Sequence, residues 1–138
     1  MTTKSEKFLI STKGFDDLID ITSKVQGLVS SFKIKNGIAN IFVVSSTASI
    51  ITLEQEPGLV FDLAKLLQDI VPINQIYQHD NAWHDGNAFA HLKAALLGNS
   101  VTLPVIDGKI ELSSWQQIVL IDFDNKVSSK QIVVSVVE

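Results

Sequence analysis

All three histidines of this 138-residue chain, His79, His84 and His91, lie in one short stretch, interleaved with Asp80, Asn81, Asp85 and Asn87. Imidazole and carboxylate groups are the first-choice ligands for a divalent ion where no cysteine exists, and His79, His91 and Asp85 could supply three. Zero cysteines also exclude a thiol nucleophile and a disulfide framework. The same residues have a plainer reading. Asp85-Gly86-Asn87 is an ordinary turn and helix-start sequence, and a histidine on an Ala-rich helix face is commonly a hydrogen-bonded packing residue. Both readings stand on the sequence, with His84, beside Trp83, the weakest of the three candidates.

A second group lies upstream, where the hydroxyls of Ser45, Ser46 and Thr47 end an apolar stretch and the carboxylates Glu54 and Glu56 follow. Pro57-Gly58 then opens a helix whose positive end suits an anion or a cap from Glu56, and the cap is the simpler reading. A serine nucleophile has no support, because no G-x-S-x-G turn occurs. Further on, Ser113-Ser114-Trp115-Gln116 opens a strand. Trp115 there reads as core filling in preference to a cavity wall.

Composition narrows the chemistry. The net charge is −4, and the eleven basic residues are scattered lysines without a single arginine, which argues against nucleic-acid binding. Planar bidentate recognition of phosphate is arginine's strength, so a phosphate site here would have to use lysine and backbone N–H groups. No apolar run approaches the length of a membrane span, and MTTKSEKF lacks the apolar core of a signal peptide, so the expectation is a soluble, cytoplasmic protein. Hydrophobic residues at 46% and charged residues at 19% suit a packed core.

The elements that must position these groups alternate along the chain. Lys7 to Ser11 reads as a first strand, and Phe15, Leu18, Ile19, Thr22, Val25, Val29 and Phe32 recur at helical spacing, predicting one helix from Phe15 to Phe32. Asn36-Gly37 stops it, and Ile38 to Ser46 reads as a central strand. Pro57 to Ile70 predicts a second helix and Ala88 to Leu97 a third, closed by Gly98. The His79 stretch between them reads as a polar loop. Val101–Ile106, Asp107-Gly108 and Lys109–Leu112 form a hairpin, and Trp115–Phe123 with Gln131–Val137 form a second antiparallel pair. Together these predict an α+β domain over residues 1–138, an antiparallel or mixed sheet packed with about three helices.

The order of motifs resembles a known family. E-x-E-P-G-L at Glu54–Leu59, Y-x-H at Tyr77–His79, D-G-N-A-x-x-H-L-K-A-A-L-L-G at Asp85–Gly98, S-V-T-L-P-V-x-D-G at Ser100–Gly108 and W-Q-Q-I-V-L-x-D-F-D at Trp115–Asp124 together resemble the YjbQ-like family. The resemblance covers nearly everything from Ile38 onward. It implies a homotrimer and a secondary thiamine-phosphate synthase activity, the condensation of a pyrimidine diphosphate with a thiazole phosphate. It further implies catalytic roles for His91, Asp85, Glu54 and Asn87, contacts to a small phosphorylated substrate from Lys93, Trp115, Gln116, Ser45 and Ser46, and a metal site at His79, His91 and Asp85.

The chain departs from the family pattern in places that matter to that chemistry. Ser45 stands where members have the histidine of H-T-T-A or H-T-S-A, Leu53 stands where they have Asn, Ser113-Ser114 precede Trp115-Gln116 in place of G-T, and Lys126–Lys130 replaces an Arg-rich turn. With one imidazole fewer, a divalent ion such as zinc or magnesium is expected to bind weakly and turnover to be slow. The alternative function is a housekeeping protein that binds a small anion or metal without turnover. Either way, the end of the Ile38–Ser46 strand, Glu54, His79, the start of the third helix and Trp115 are expected to converge on one pocket.

Overall fold

In the computed structural model, which describes residues Met1–Glu138, eight strands and four helices run in the order β1 (Thr3–Thr12), β2 (Asp17–Asp20), α1 (Thr22–Ser31), β3 (Gly37–Val43), β4 (Ala48–Leu53), α2 (Pro57–Ile70), α3 (Gln78–Trp83), α4 (Ala88–Leu97), β5 (Ser100–Ile106), β6 (Lys109–Ile110), β7 (Gln117–Asp122) and β8 (Ser128–Val137). The class is α+β, as the sequence predicts. All pairings are antiparallel, in a five-stranded sheet of order β1-β8-β3-β5-β6 and a three-stranded sheet of order β2-β7-β4.

Side-chain alternation explains why each sheet lies where it does. Along β8, Lys130, Ile132, Val134 and Val136 are buried while their neighbours reach the outer face, where Ser135 bonds Ser5 across the sheet at 2.7 Å. Strand β7 is buried on both faces. Ile118 and Leu120 join Ile41, Ile50, Val134 and the α1 residues Val25 and Val29 in the larger core, between the sheets. Val119 and Ile121 face a second core under α2 and α4, with Leu67, Phe89, Ala90 and Phe123.

Three local expectations change. The helix predicted from Phe15 starts only at Thr22, because Gly14, Phe15 and Asp16 all have positive φ (74°, 53° and 65°) and Asp17–Asp20 pairs with β7. That turn is clamped: the N–H groups of Phe15 and Asp16 donate to the carbonyls of Asp124 and Asp122, and a Cβ on Gly14 would lie 2.6 Å from the Asp124 oxygen. The apolar spacing there, 15, 18, 19, serves a turn and a strand instead of a helix face. Strand β3 ends at Val43, and the segment after Thr47, which carried no predicted element, is the edge strand β4. The polar stretch at His79 is the short helix α3, which the sequence reading took for loop.

Candidate functional site

The turn before β4 and the end of β7 meet at one end of the three-stranded sheet, since Ala48 pairs with Asp122. There the structure builds a buried polar network in which Thr47 and Ser45 join Thr12, Asp122, Asp124 and Lys130, four residues given no role in the sequence analysis. Thr12 donates to Asp122, whose other oxygen accepts from the Asp124 N–H at 3.0 Å; Lys130 Nζ lies 3.9 Å from Asp122 and 3.4 Å from the Thr47 hydroxyl. Thr47 donates to Asp124 Oδ2 at 3.2 Å, and its own N–H donates to Ser45 Oγ at 3.1 Å. Asp122 is fully buried and Asp124 nearly so. Burial pushes the Asp124 carboxyl up, but the Asn125 N–H, the Asn87 amide, the Thr47 hydroxyl and the Lys130 charge outweigh it and hold it below the usual carboxylate value. The sequence signal for this network is the D-x-D pair closing β7, whose acidic residues would otherwise sit oddly beside a strand buried on both faces.

Asn87 connects the network to the histidines. Its Nδ2 donates to Asp124 Oδ1 at 3.3 Å, and its Oδ1 lies 3.2 Å from His79 Nε2. Rotating the amide by half a turn instead presents Nδ2 to both Asp85 carboxylate oxygens, at 3.0 and 3.2 Å, and turns the oxygen on Asp124. The amide therefore has two competing carboxylate partners, the buried Asp124 and the exposed Asp85. His79 Nε2 also lies 3.5 Å from Asp85 Oδ1, and its ring meets the His91 ring edge-on at 4.7 Å. The cap of α4 comes from Asp80 in α3, which accepts from the Ala88 N–H at 3.0 Å, and not from Asp85 or Asn87. His84 ends α3, exposed, with a left-handed backbone.

His91, on the first turns of α4, faces two adjoining hollows. One, of about 370 Å³, is lined by Ser45, Ser46, Ala48, His91 and Asn99; the other by Tyr77, His79, Ala88 and His91. Residue 45 thus shares a hollow with His91, as the family pattern implies for the histidine it replaces. The donor set does not amount to a resident metal centre, because no group of three or more His, Asp or Glu side chains is placed to hold one ion. His79 and Asp85 approach each other, and the neighbouring oxygen belongs to an amide.

Several expected members lie elsewhere. Glu54, Trp115 and Gln116 line a separate hollow of about 470 Å³ with Thr52, Leu53 and Ser113. Gln116 holds it together by donating to Thr52 at 3.1 Å and accepting from the Ser113 N–H at 3.1 Å. That hollow lies at the opposite end of β4, about 17 Å from Ala48 at roughly 3.3 Å per residue. The single convergent pocket is therefore split within this chain. Trp115, read as core filling, is 72% exposed, because it precedes β7 in a turn outside both sheets.

Lys93 corrects another expectation. Assigned to substrate, it is instead 1% exposed, with its ammonium 3.5 Å from Asp16 and over the faces of Phe89 and Phe123 at 5.5 and 5.9 Å. Two residues past His91 on a helix, it points away from the hollow and into the second core. Glu56 does what its position suggests, accepting from the Gly58 and Leu59 N–H groups at 2.7 and 2.9 Å. Those bonds, the Gly58 one foremost, hold its carboxyl below the usual value.

Two antiparallel sheets with α1 packed in the core between them and α2 and α4 on the other face of the smaller one, and a histidine-amide-carboxylate cluster at one sheet end, define a class of small α+β protein with a polar terminal hollow. Residues 6–138 match the family described as UPF0047 protein YjbQ-like, and the chain belongs to that family. A UPF0047 protein of Methanothermobacter thermautotrophicus is 44% identical over 108 residues, covering 78% of this chain and 74% of that protein. A Sulfolobus solfataricus structure, described as a YbjQ-like protein of unknown function, superposes with a TM-score of 0.91 at 35% identity over 98% of this chain and 96% of its own. A hypothetical protein from Aeropyrum pernix gives 0.89 at 25% identity over 97% and 98%.

Proposed function

We propose that the His91 hollow binds a small phosphorylated molecule and that the protein is a slow, secondary thiamine-phosphate synthase-like transferase, acting as a cytoplasmic homotrimer. The observation that carries this reading is the shared lining of one hollow by His91, Ser45 and Ser46, with His79 edge-on behind. Hydroxyls and an imidazole can donate to phosphate oxygens. In the condensation, the thiazole nitrogen attacks the pyrimidine methylene carbon, the carbon–oxygen bond to the diphosphate breaks, and pyrophosphate leaves with the electron pair. In this reading His91 hydrogen-bonds that leaving group.

Slow turnover follows from what the hollow lacks. Lys93, its expected cation, is committed to Asp16, and the chain has no arginine. Zinc and magnesium are expected to bind weakly for want of a third strong ligand. The same shortage supports the second reading, a small-anion-binding protein without turnover. The test incubates purified protein with hydroxymethylpyrimidine diphosphate, thiazole phosphate and magnesium, and measures thiamine phosphate. Formation that falls at least tenfold in His91→Ala supports the transferase. No product, with inorganic pyrophosphate still bound by the wild type and not by His91→Ala, supports the binding protein.

A further inference from the structure

We infer that Asp124 is a positioning residue for the histidine hollow: through the Asn87 amide it keeps the proton of His79 on Nε2 and leaves Nδ1 as a hydrogen-bond acceptor toward a bound ligand. This rests on the proposed function only in taking the hollow to be a ligand site. An amide has one donor end and one acceptor end, and Asn87 lies between two carboxylates. With its Nδ2 on Asp124 Oδ1 at 3.3 Å, its oxygen lies 3.2 Å from His79 Nε2 and can only accept, so the His79 proton belongs on Nε2. Turned over, Nδ2 meets the two Asp85 oxygens at 3.0 and 3.2 Å and His79 Nε2 at 3.2 Å. In that arrangement Nε2 has to accept, and the proton moves to Nδ1. The two carboxylates therefore compete over the position of one imidazole proton.

Burial decides the competition. Asp124 is 5% exposed, so no water replaces a donor it loses, whereas the Asp85 side chain is 49% exposed and solvated. The Asp124 carboxylate is also fixed in place, with Oδ2 accepting from the Thr47 hydroxyl at 3.2 Å and Oδ1 from the Asn125 N–H at 2.8 Å. Burial pushes its carboxyl up, but the Asn125, Asn87, Thr47 and Lys130 contacts outweigh it, so the group is ionised and has no proton to give a turned-over amide oxygen. Asp85 Oδ1, 3.5 Å from His79 Nε2, is a second acceptor on the same side of the ring. His79 Nδ1 makes no hydrogen bond within the chain, and the ring borders the hollow it shares with His91 and Tyr77. Held in this form, His79 accepts and does not donate. The ligand group it takes must carry a proton, as a hydroxyl, an amine or a singly protonated phosphate does, and a fully ionised phosphate is left to His91 and the serine hydroxyls.

Nitrogen-15 NMR of histidine-labelled protein at about pH 8, above the ordinary imidazole range, reads the tautomer directly, with the His79 signals assigned by their loss in His79→Gln. The wild type should carry the proton on Nε2; a proton on Nδ1 overturns the proposal with no change to the network. Asp124→Asn removes the charge and keeps the shape. Asn87 should then turn to Asp85, since bonds to a charged acceptor are the stronger, and the His79 proton should shift to Nδ1. A proton that stays on Nε2 overturns the proposal. Asp85→Asn alters only an exposed side chain and should leave the proton on Nε2; a shift there would give the control to Asp85 and overturn the proposal even if Asp124→Asn fails to fold. Asp16→Ala, which loses stability on the far side of the second core, should also keep the Nε2 proton, and a shift would show that the tautomer follows stability instead of Asp124. None of these readings needs activity. An Nε2 proton in a protein that binds no inorganic pyrophosphate sinks the ligand reading alone, and pyrophosphate bound by a protein with the proton on Nδ1 sinks this one alone.

Discussion

The two ends of the three-stranded sheet are built on opposite terms. At the Ala48–Asp122 end, carboxylates, hydroxyls, a lysine and an amide are buried and bonded to one another before any ligand arrives. At the Leu53–Gln117 end, Glu54 is exposed without a partner and Trp115 stands in solvent, with only Gln116 tied to the fold. The first arrangement supports His79 through Asn87, and the His79 ring in turn meets His91 edge-on, the organised kind of support a binding site needs. The second has surface groups whose energetic role, if they have one, depends on something outside the chain.

Removing Asp122 should break that contrast most visibly. Asp122→Ala leaves Lys130 without its buried counter-charge and Thr12 without its acceptor, and should cost about 3–5 kcal/mol, read by urea denaturation. Glu54→Ala should change stability by no more than about 0.5 kcal/mol in the single chain. Comparable losses from the two would erase the distinction between the ends.

A smaller effect is expected beneath the site. Asp16→Ala strands the Lys93 ammonium between two phenylalanines and should cost about 2–3 kcal/mol, less than a fully buried pair because Asp16 is partly exposed. Lys93→Met should be much milder, since Met fills the apolar space and the remaining Asp16 can reach water. If Lys93→Met were the worse of the two by denaturation, the lysine would have a role the packing does not explain.

The pH dependence sharpens the comparison further. Asp124 is held below the usual carboxyl value in the fold, so its contribution is fully present above the unfolded value of about 4 and is lost as pH falls through the lowered folded value. Urea midpoints measured from pH 6 down should fall through that window in the wild type. In Asp124→Asn the protein should be weaker at pH 6 and flatter through the window. Glu56, whose carboxyl is also lowered but is exposed and only caps α2, adds a slope of the same sign that Asp124→Asn leaves in place.

The smallest expected effect concerns ligand count. Ser45→His puts an imidazole on the hollow that His91 lines, and zinc affinity by titration calorimetry should rise roughly tenfold or more. Tight zinc binding by the wild type that survives His91→Ala would place the metal site elsewhere.

Particular residues show how far the sequence went. The caps and turns were legible, Glu56 on α2 and Gly98 after α4, because they depend on neighbours a few positions away. So were α2 and α4 themselves, the hairpin at Asp107-Gly108 and the α+β class, all written in local periodicity. The segment from Gly14 to Asp20 misled because its apolar spacing fits a helix, while the bonds that decide its course come from Asp122 and Asp124 more than a hundred residues away. The apolar runs Ile118–Ile121 and Ile132–Val134 lie on the interior strands β7 and β8, while exposed apolar groups include Leu66 and Ile70 on α2 and Leu92 and Leu96 on α4.

The sequence by itself determined the inventory: no cysteine, no arginine, three clustered histidines, and the motifs that mark the family. Only the tertiary structure decided which of those residues share a site. It put Ser45 with His91, sent Lys93 into the core to Asp16, and placed Glu54 and Trp115 a strand's length away. The physical reason is that spacing along the chain fixes a side chain's face on its own helix or strand. Its neighbours in space depend on which strands pair, and that was settled by burying β7 on both sides between two cores.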